Sequence, residues 1–245
     1  SQNRQLWTVR FTPSKTGSWT WTAFENGASI APGAFTVSYP SSSQVSSNPN
    51  YRGHIRVRKS GEGANRIFEY ADGTPFLWLG DTVWHMAALR SGVGCDSTIG
   101  DQSCDSNNTN FMTWLADRKV KKFTVAQVQL FSRTNKNEGG YPFVGNEQPM
   151  AGGNGNYANL NPTFFAYADV RMKRLWEAGL VVAAHPTWTS EENIALSSSG
   201  ADAREVFRYL LARYGAFNTV WSLSGEYQYR YPGDGNESSV PSWSL

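Results

Sequence analysis

The chain has 245 residues, of which 40% are hydrophobic, 17% charged and 14% aromatic, with 10 Trp, 23 Gly and a formal net charge of +2. No run of Lys and Arg supplies the electrostatic footprint of a nucleic-acid-binding protein, and no apolar run approaches the roughly 20 residues of a membrane-spanning helix, so neither partner is expected. The length suits one large domain or two smaller ones, and the Trp and Gly content suggests a secreted globular protein with aromatic surfaces, which suit the C–H faces of sugar rings.

In chain order, residues 7–11 alternate as Trp7, Val9, Phe11, residues 18–24 as Trp19, Trp21, Ala23, and residues 33–39 form a third alternating run. Strand, turn, strand at period two predicts a β-meander; three strands alone are marginal, so residues 1–40 read as part of a β-sandwich. The Ser-rich stretch Pro40–Pro49 reads as a linker, giving a division into 1–40, a linker 41–52 and a second domain 53–245. Short strands are predicted at 53–58 and 66–70, and Phe76–Leu79 is predicted as the strand that opens the helix–strand repeat, followed by Gly80-Asp81-Thr82.

From there the period changes. A helix is predicted over 110–120, a strand over 123–131, a Gly/Asn-rich loop over 135–160, a helix from Pro162 to Ala178, a strand over 180–184, a helix over 201–214 and a strand from Thr219 to Leu223. Asn161-Pro162 is an N-cap followed by Pro at the first helical position, and Gly179 and Gly215 are stops. Three helix–strand units after an opening strand predict four parallel strands, either an open doubly wound sheet or the first half of a (β/α)8 barrel. The Gly-rich dinucleotide fingerprint is missing after the first strand, which favours the barrel. Four strands leave two unpaired edges. The chain is therefore expected to be a fragment whose barrel is completed by further segments of the same polypeptide.

Catalytic groups of a parallel barrel sit where its strands end. Glu226 follows the last predicted strand in Ser-Gly-Glu-Tyr, with Trp188, Trp221 and Tyr227 as candidate apolar neighbours that raise its pKa. Asp81, Trp84 and His85 follow the first strand. Gln129 lies toward the end of the second, where Val125, Gln127, Gln129 and Phe131 are expected on one face, and His185 ends the third. Tyr141, Phe143 and Tyr157 are expected to shape one wall of the cleft. These residues suit glycan binding. His54, His85 and His185 share no ligand spacing, and the Asp residues near Cys95 fit no EF-hand loop, so no metal or cofactor is expected. Cys95 and Cys104 flank a polar loop that a disulfide would close, which implies an oxidising compartment. Asn107 and Asn236 begin glycosylation sequons.

The run Tyr70-Ala-Asp-Gly-Thr-Pro-Phe-Leu-Trp-Leu-Gly-Asp-Thr-Val-Trp84 resembles the opening of the catalytic domain in apiosidase-like glycoside hydrolases. Val9-Arg-Phe-Thr-Pro, Gly17-Ser-Trp and Gly33-Ala-Phe-Thr-Val resemble the β-sandwich that often precedes such barrels. The resemblance implies a (β/α)8 barrel of the large retaining-hydrolase clan, cleaving glycosidic bonds in an oligo- or polysaccharide. Its acid/base carboxylate would be Glu226, and its nucleophile would follow a seventh strand, beyond Leu245. The family usually has Gly before the second strand, where this chain has Lys122. The competing reading is a non-catalytic carbohydrate-binding protein with a decayed barrel site.

Overall fold

The computed structural model describes residues 8–83, 86–87, 111–131, 137, 139–144, 159–186 and 201–222. The N-terminal part is a hairpin, β1 (Gly17–Glu25) antiparallel to β2 (Ala28–Val37). Trp19 faces Phe35 across the pair, their rings stacked at 6.4 Å, and Trp21 faces Gly33. A Cβ at Gly33 would lie 2.4 Å from the Trp21 indole, so only glycine lets that ring lie across the partner strand.

Residues 8–13, part of an expected strand, pair with neither β1 nor β2. Phe11 packs beside Trp19 and Phe35, while its neighbours reach the other part of the chain. Arg10 Nη2 donates to Asp169 Oδ2 at 2.7 Å, and Thr12 Oγ1 donates to the Ala216 carbonyl at 2.6 Å. These contacts replace the strand ladder, so the described residues hold a two-stranded hairpin instead of a three-stranded meander.

Residues 41–52, expected as a linker, are ordered by local caps. Helix α1 (Ser42–Ser47) opens with a capping box between Ser41 and Gln44, and a 3₁₀ turn follows over Pro49–Arg52. Asn48 and Asn50 donate to the Trp176 carbonyl at 2.9 and 3.0 Å, and Asn50 also donates to that of Leu180 at 3.1 Å. Tyr51 meets Trp176 edge-on at 5.2 Å. The segment is thereby docked on the turn around Ala178–Leu180.

A small antiparallel sheet follows, in the order β3 (Ile55–Val57), β4 (Phe68–Tyr70), β5 (Pro75–Phe76). The strand expected at Phe76–Leu79 therefore divides. Phe76 belongs to β5, Leu77 is 72% exposed, and the first parallel strand is β6 (Gly80–Val83). Thr124 sets that start: its hydroxyl donates to the Leu77 carbonyl at 2.5 Å and accepts from the Leu79 N–H at 3.0 Å.

The remainder alternates helix and strand: α2 (Phe111–Val120), β7 (Val125–Gln129), α3 (Pro162–Glu177), β8 (Val181–His185), α4 (Ala201–Tyr214) and β9 (Thr219–Trp221). The four strands form one parallel sheet in the order β6-β7-β8-β9, the first half of a (β/α)8 barrel. Ala126, Val128, Val182 and Ala184 face the helices and pack with Phe165, Ala168, Met172 and Leu175 of α3 and Leu210 of α4. Val125, Val181, Ala183 and Val220 face the other way, toward the barrel interior, and pack with Ile55, Tyr70 and Phe76. The small sheet therefore closes the N-terminal end of the half-barrel.

Two expectations about faces are corrected. Phe131 does not continue the face of Val125. The ladder ends at Gln129, alternation lapses, and Phe131 turns into the helix-side core, edge-on to Phe143 at 5.3 Å and to Phe165 at 6.4 Å. Phe143 is 1% exposed in that core instead of lining a cleft. Asn161 draws the loop there by donating to the Gly139 and Tyr141 carbonyls, both at 2.8 Å.

Lys122, the departure from the expected glycine, ends α2 as Gly179 ends α3. Lys122 N–H bonds the Lys119 carbonyl at 3.1 Å and Phe123 N–H that of Arg118 at 3.0 Å; Gly179 and Leu180 repeat this with Trp176 and Leu175, both at 3.0 Å. This is the Schellman pattern, and both residues adopt positive φ, 64° for Lys122 and 84° for Gly179. A Cβ there costs about 1 kcal/mol. Lys122→Gly should therefore stabilise the protein by up to about 1 kcal/mol, read as a higher urea midpoint; an unchanged or lower midpoint would show the strain is relieved elsewhere.

Candidate active site

Parallel pairing aligns side chains across the sheet in rows. Thr82, Gln127, Ala183 and Val220 form one row, since Thr82 pairs with Gln127, Gln127 with Ala183 and Ala183 with Val220. Val220 and Ala183 belong to the interior cluster, so this row faces the barrel interior. The next interior row, toward the C-terminal strand ends, pairs Gln129 with His185; Ser222 follows two residues after Val220, its N–H bonded to the Ala184 carbonyl at 3.0 Å. The interior thus grades from Val125 and Val181 at the bottom to an amide, an imidazole and a hydroxyl-bearing residue at the top. Of the predicted site residues, Gln129 and His185 are brought together.

Burial lowers the pKa of His185, so at neutral pH its ring is neutral and can both donate and accept hydrogen bonds. Gln129 is 9% exposed, and its amide adds two donors and an acceptor. A neutral, two-way hydrogen-bonding surface matches sugar hydroxyls, which also donate and accept.

Asp81 stands apart. It lies within β6 instead of after it, and it pairs with Ala126 of the helix-side core. Its carboxylate accepts from Trp114 Nε1 at 3.0 Å and Arg118 Nε at 2.5 Å, both on α2. Arg118 also bonds Asp117. The expected sugar contact is thus replaced by a clamp that holds α2 on the first strand. Burial pushes the Asp81 pKa up, but the hydrogen bonds from Arg118, Trp114 and the Thr82 N–H, with the guanidinium charge, outweigh it and hold the carboxyl below its usual range.

Because the folded pKa is depressed, the stabilisation is fully present above the unfolded value of about 3.9 and is lost as pH falls through the folded one. Asp81→Asn should cost about 1–3 kcal/mol at pH 7, read by urea unfolding, and should flatten the loss of stability below about pH 4. Equal stability of the two proteins at pH 7 would show that the clamp carries no net free energy.

Glu226, Trp84, His85, Trp188 and Tyr227 lie outside the described residues, as do Cys95, Cys104, Asn107 and Asn236. Sequence reasoning passed over Thr82 and Ser222 as site residues. Counting by two from Val220 would have found Ser222, whereas Thr82 was hidden by the misplaced start of its strand. Among the described residues no group of three or more His, Cys, Asp or Glu is arranged to hold a metal ion, and no helix is long and apolar enough to cross a membrane.

The fold has counterparts among solved structures. One is a candidate glycoside hydrolase from Bacteroides vulgatus ATCC 8482, with a TM-score of 0.62 and 19% identity over 90% of this chain and 40% of that one. A glycoside hydrolase family 5 protein from the same organism matches with a TM-score of 0.49 and 22% identity over 73% of this chain and 34% of that one. The chain thus spans 34–40% of the length of these two structures. No curated protein matches it in sequence. The family "Apiosidase-like, catalytic domain" matches residues 62–243, which takes in β4 to β9 and the whole parallel half-barrel. With well over half of its residues matched, the chain belongs to the apiosidase-like catalytic domain family.

Proposed function

We propose that this chain is the acid/base-bearing half of a glycoside hydrolase that cleaves glycosidic bonds in a plant or microbial polysaccharide with retention of configuration. The observation that carries the reading is the Gln129–His185 pair on the interior face, at the C-terminal ends of parallel strands, in a chain of this family. Active sites of (β/α)8 enzymes occupy that end. Glu226 follows β9 by five residues at the same end of the strand and is the general acid/base. It protonates the leaving oxygen, and in the second step it takes a proton from water. The nucleophile is a second carboxylate from another strand end, and retention requires the two about 5–5.5 Å apart. His185 and Gln129 hold sugar hydroxyls.

The protein is secreted, with Cys95 and Cys104 joined in a disulfide; the Trp-rich composition and the sequons at Asn107 and Asn236 support that reading. The test is incubation of the full-length polypeptide with 4-nitrophenyl glycosides of the common pentoses and hexoses and with plant cell-wall polysaccharides, following the anomeric configuration of the first product by NMR. Release of sugar with retained configuration is expected. Inversion would overturn the two-step route. Binding of glycans without turnover would leave a carbohydrate-binding protein.

A further inference from the structure

The interior face holds a second polar side chain that the site described above does not use. Gln127 lies on β7 two residues below Gln129, in the row with Thr82, Ala183 and Val220. It is half-buried, whereas Val125 next below it on the same face is wholly buried beside Val181, Tyr70 and Phe76. Among the described residues, nothing hydrogen-bonds its side-chain amide. Ala183 and Val220 present only carbon to it, and Thr82 is the one neighbour in the row with a polar side chain.

Its two donors and its acceptor are open to a ligand on the interior face, and a sugar hydroxyl can pair with either. Residues two apart on a strand are about 6.6 Å apart along it, so the two amides form a ladder running down from the C-terminal end. Val125 and Val181, packed with Tyr70 and Phe76, form the apolar floor beneath.

We infer that Gln127 is a specificity-determining residue that hydrogen-bonds the deepest hydroxyl of the sugar unit held under Gln129 and His185. The inference rests on the glycosidase reading. An amide that bonds a substrate hydroxyl rejects the analogue lacking that hydroxyl, because its own groups are then left unpaired. Gln127 contacts substrate without entering the proton transfers, so its loss raises KM more than it lowers kcat.

The experiment uses the full-length protein with a 4-nitrophenyl glycoside that the wild type cleaves and the monodeoxy versions of the same sugar. Gln127→Leu should raise KM about tenfold for the parent glycoside, while the wild-type preference for that parent over one particular deoxy sugar disappears. Gln127→Asn, one methylene shorter, serves if the leucine variant fails to fold, and it should raise KM in the same way. Unchanged KM and an intact deoxy preference overturn the inference, whether or not the melting temperature falls, since an amide that serves only the fold would lower Tm alone. Failure of the wild type to cleave any glycoside overturns the glycosidase reading itself, and this inference with it.

Discussion

Glu226→Gln in the full-length protein should lower turnover of a cleaved glycoside by at least about 100-fold, with the melting temperature nearly unchanged. The amide keeps the shape of the side chain but has no proton to give to a leaving alcohol and takes none from water. Both steps of a retaining mechanism should therefore slow. The loss should be smaller for a glycoside with a good leaving group in its first step, because such a group departs with little protonation. Added azide attacks without a general base, so it should restore turnover and yield the glycosyl azide. Undiminished activity in the variant would remove Glu226 from the mechanism, and a fall without azide rescue would assign it another role.

Asn218→Ala should destabilise the protein by about 3 kcal/mol. Asn218 is 4% exposed. Its Nδ2 donates to Asn50 Oδ1 and to the Gly53 carbonyl, both at 3.1 Å, and its Oδ1 accepts from the Ile55 N–H at 3.2 Å. Its own carbonyl accepts from the Val182 N–H at 3.0 Å, next to the first residue of β9. One side chain thus joins the 3₁₀ turn, β3 and the start of the strand that leads to Glu226. Truncation leaves three polar groups without that partner: Asn50 Oδ1, the Gly53 carbonyl and the Ile55 N–H. Urea unfolding measures the total, and hydrogen exchange at the Ile55 amide of β3 should quicken before that of any amide in the parallel sheet. A loss under 1 kcal/mol would mean that water takes the place of the amide.

The sequence by itself determined the repeating helix–strand order and the parallel half-barrel. Helix α3 was legible because Asn161 caps it, Pro162 starts it and Phe165, Ala168, Met172 and Leu175 recur on one face; all four are buried. The positions of Gln129 and His185 near the C-terminal ends of consecutive strands were equally legible, whereas their pairing across the sheet is set by the register of β7 on β8.

Only the tertiary structure decided where strands begin and end, and that changed which side several residues face. Four apolar residues at 76–79 look like a strand, but Pro75–Phe76 pairs backward with β4 and Thr124 starts the parallel strand at Gly80. That displacement placed the Asp81 carboxylate on α2 and put Thr82 in the interior row. Beyond Gln129 the ladder stops and Phe131 turns to the helices. The stretch at 41–52 looked like a linker because it is polar and Ser-rich, yet its Asn48 and Asn50 side chains find backbone carbonyls exposed by the α3–β8 turn. Periodicity is a local property that a chain carries with it. The end of a ladder, and the partner of a buried amide, depend on which distant segment arrives beside it.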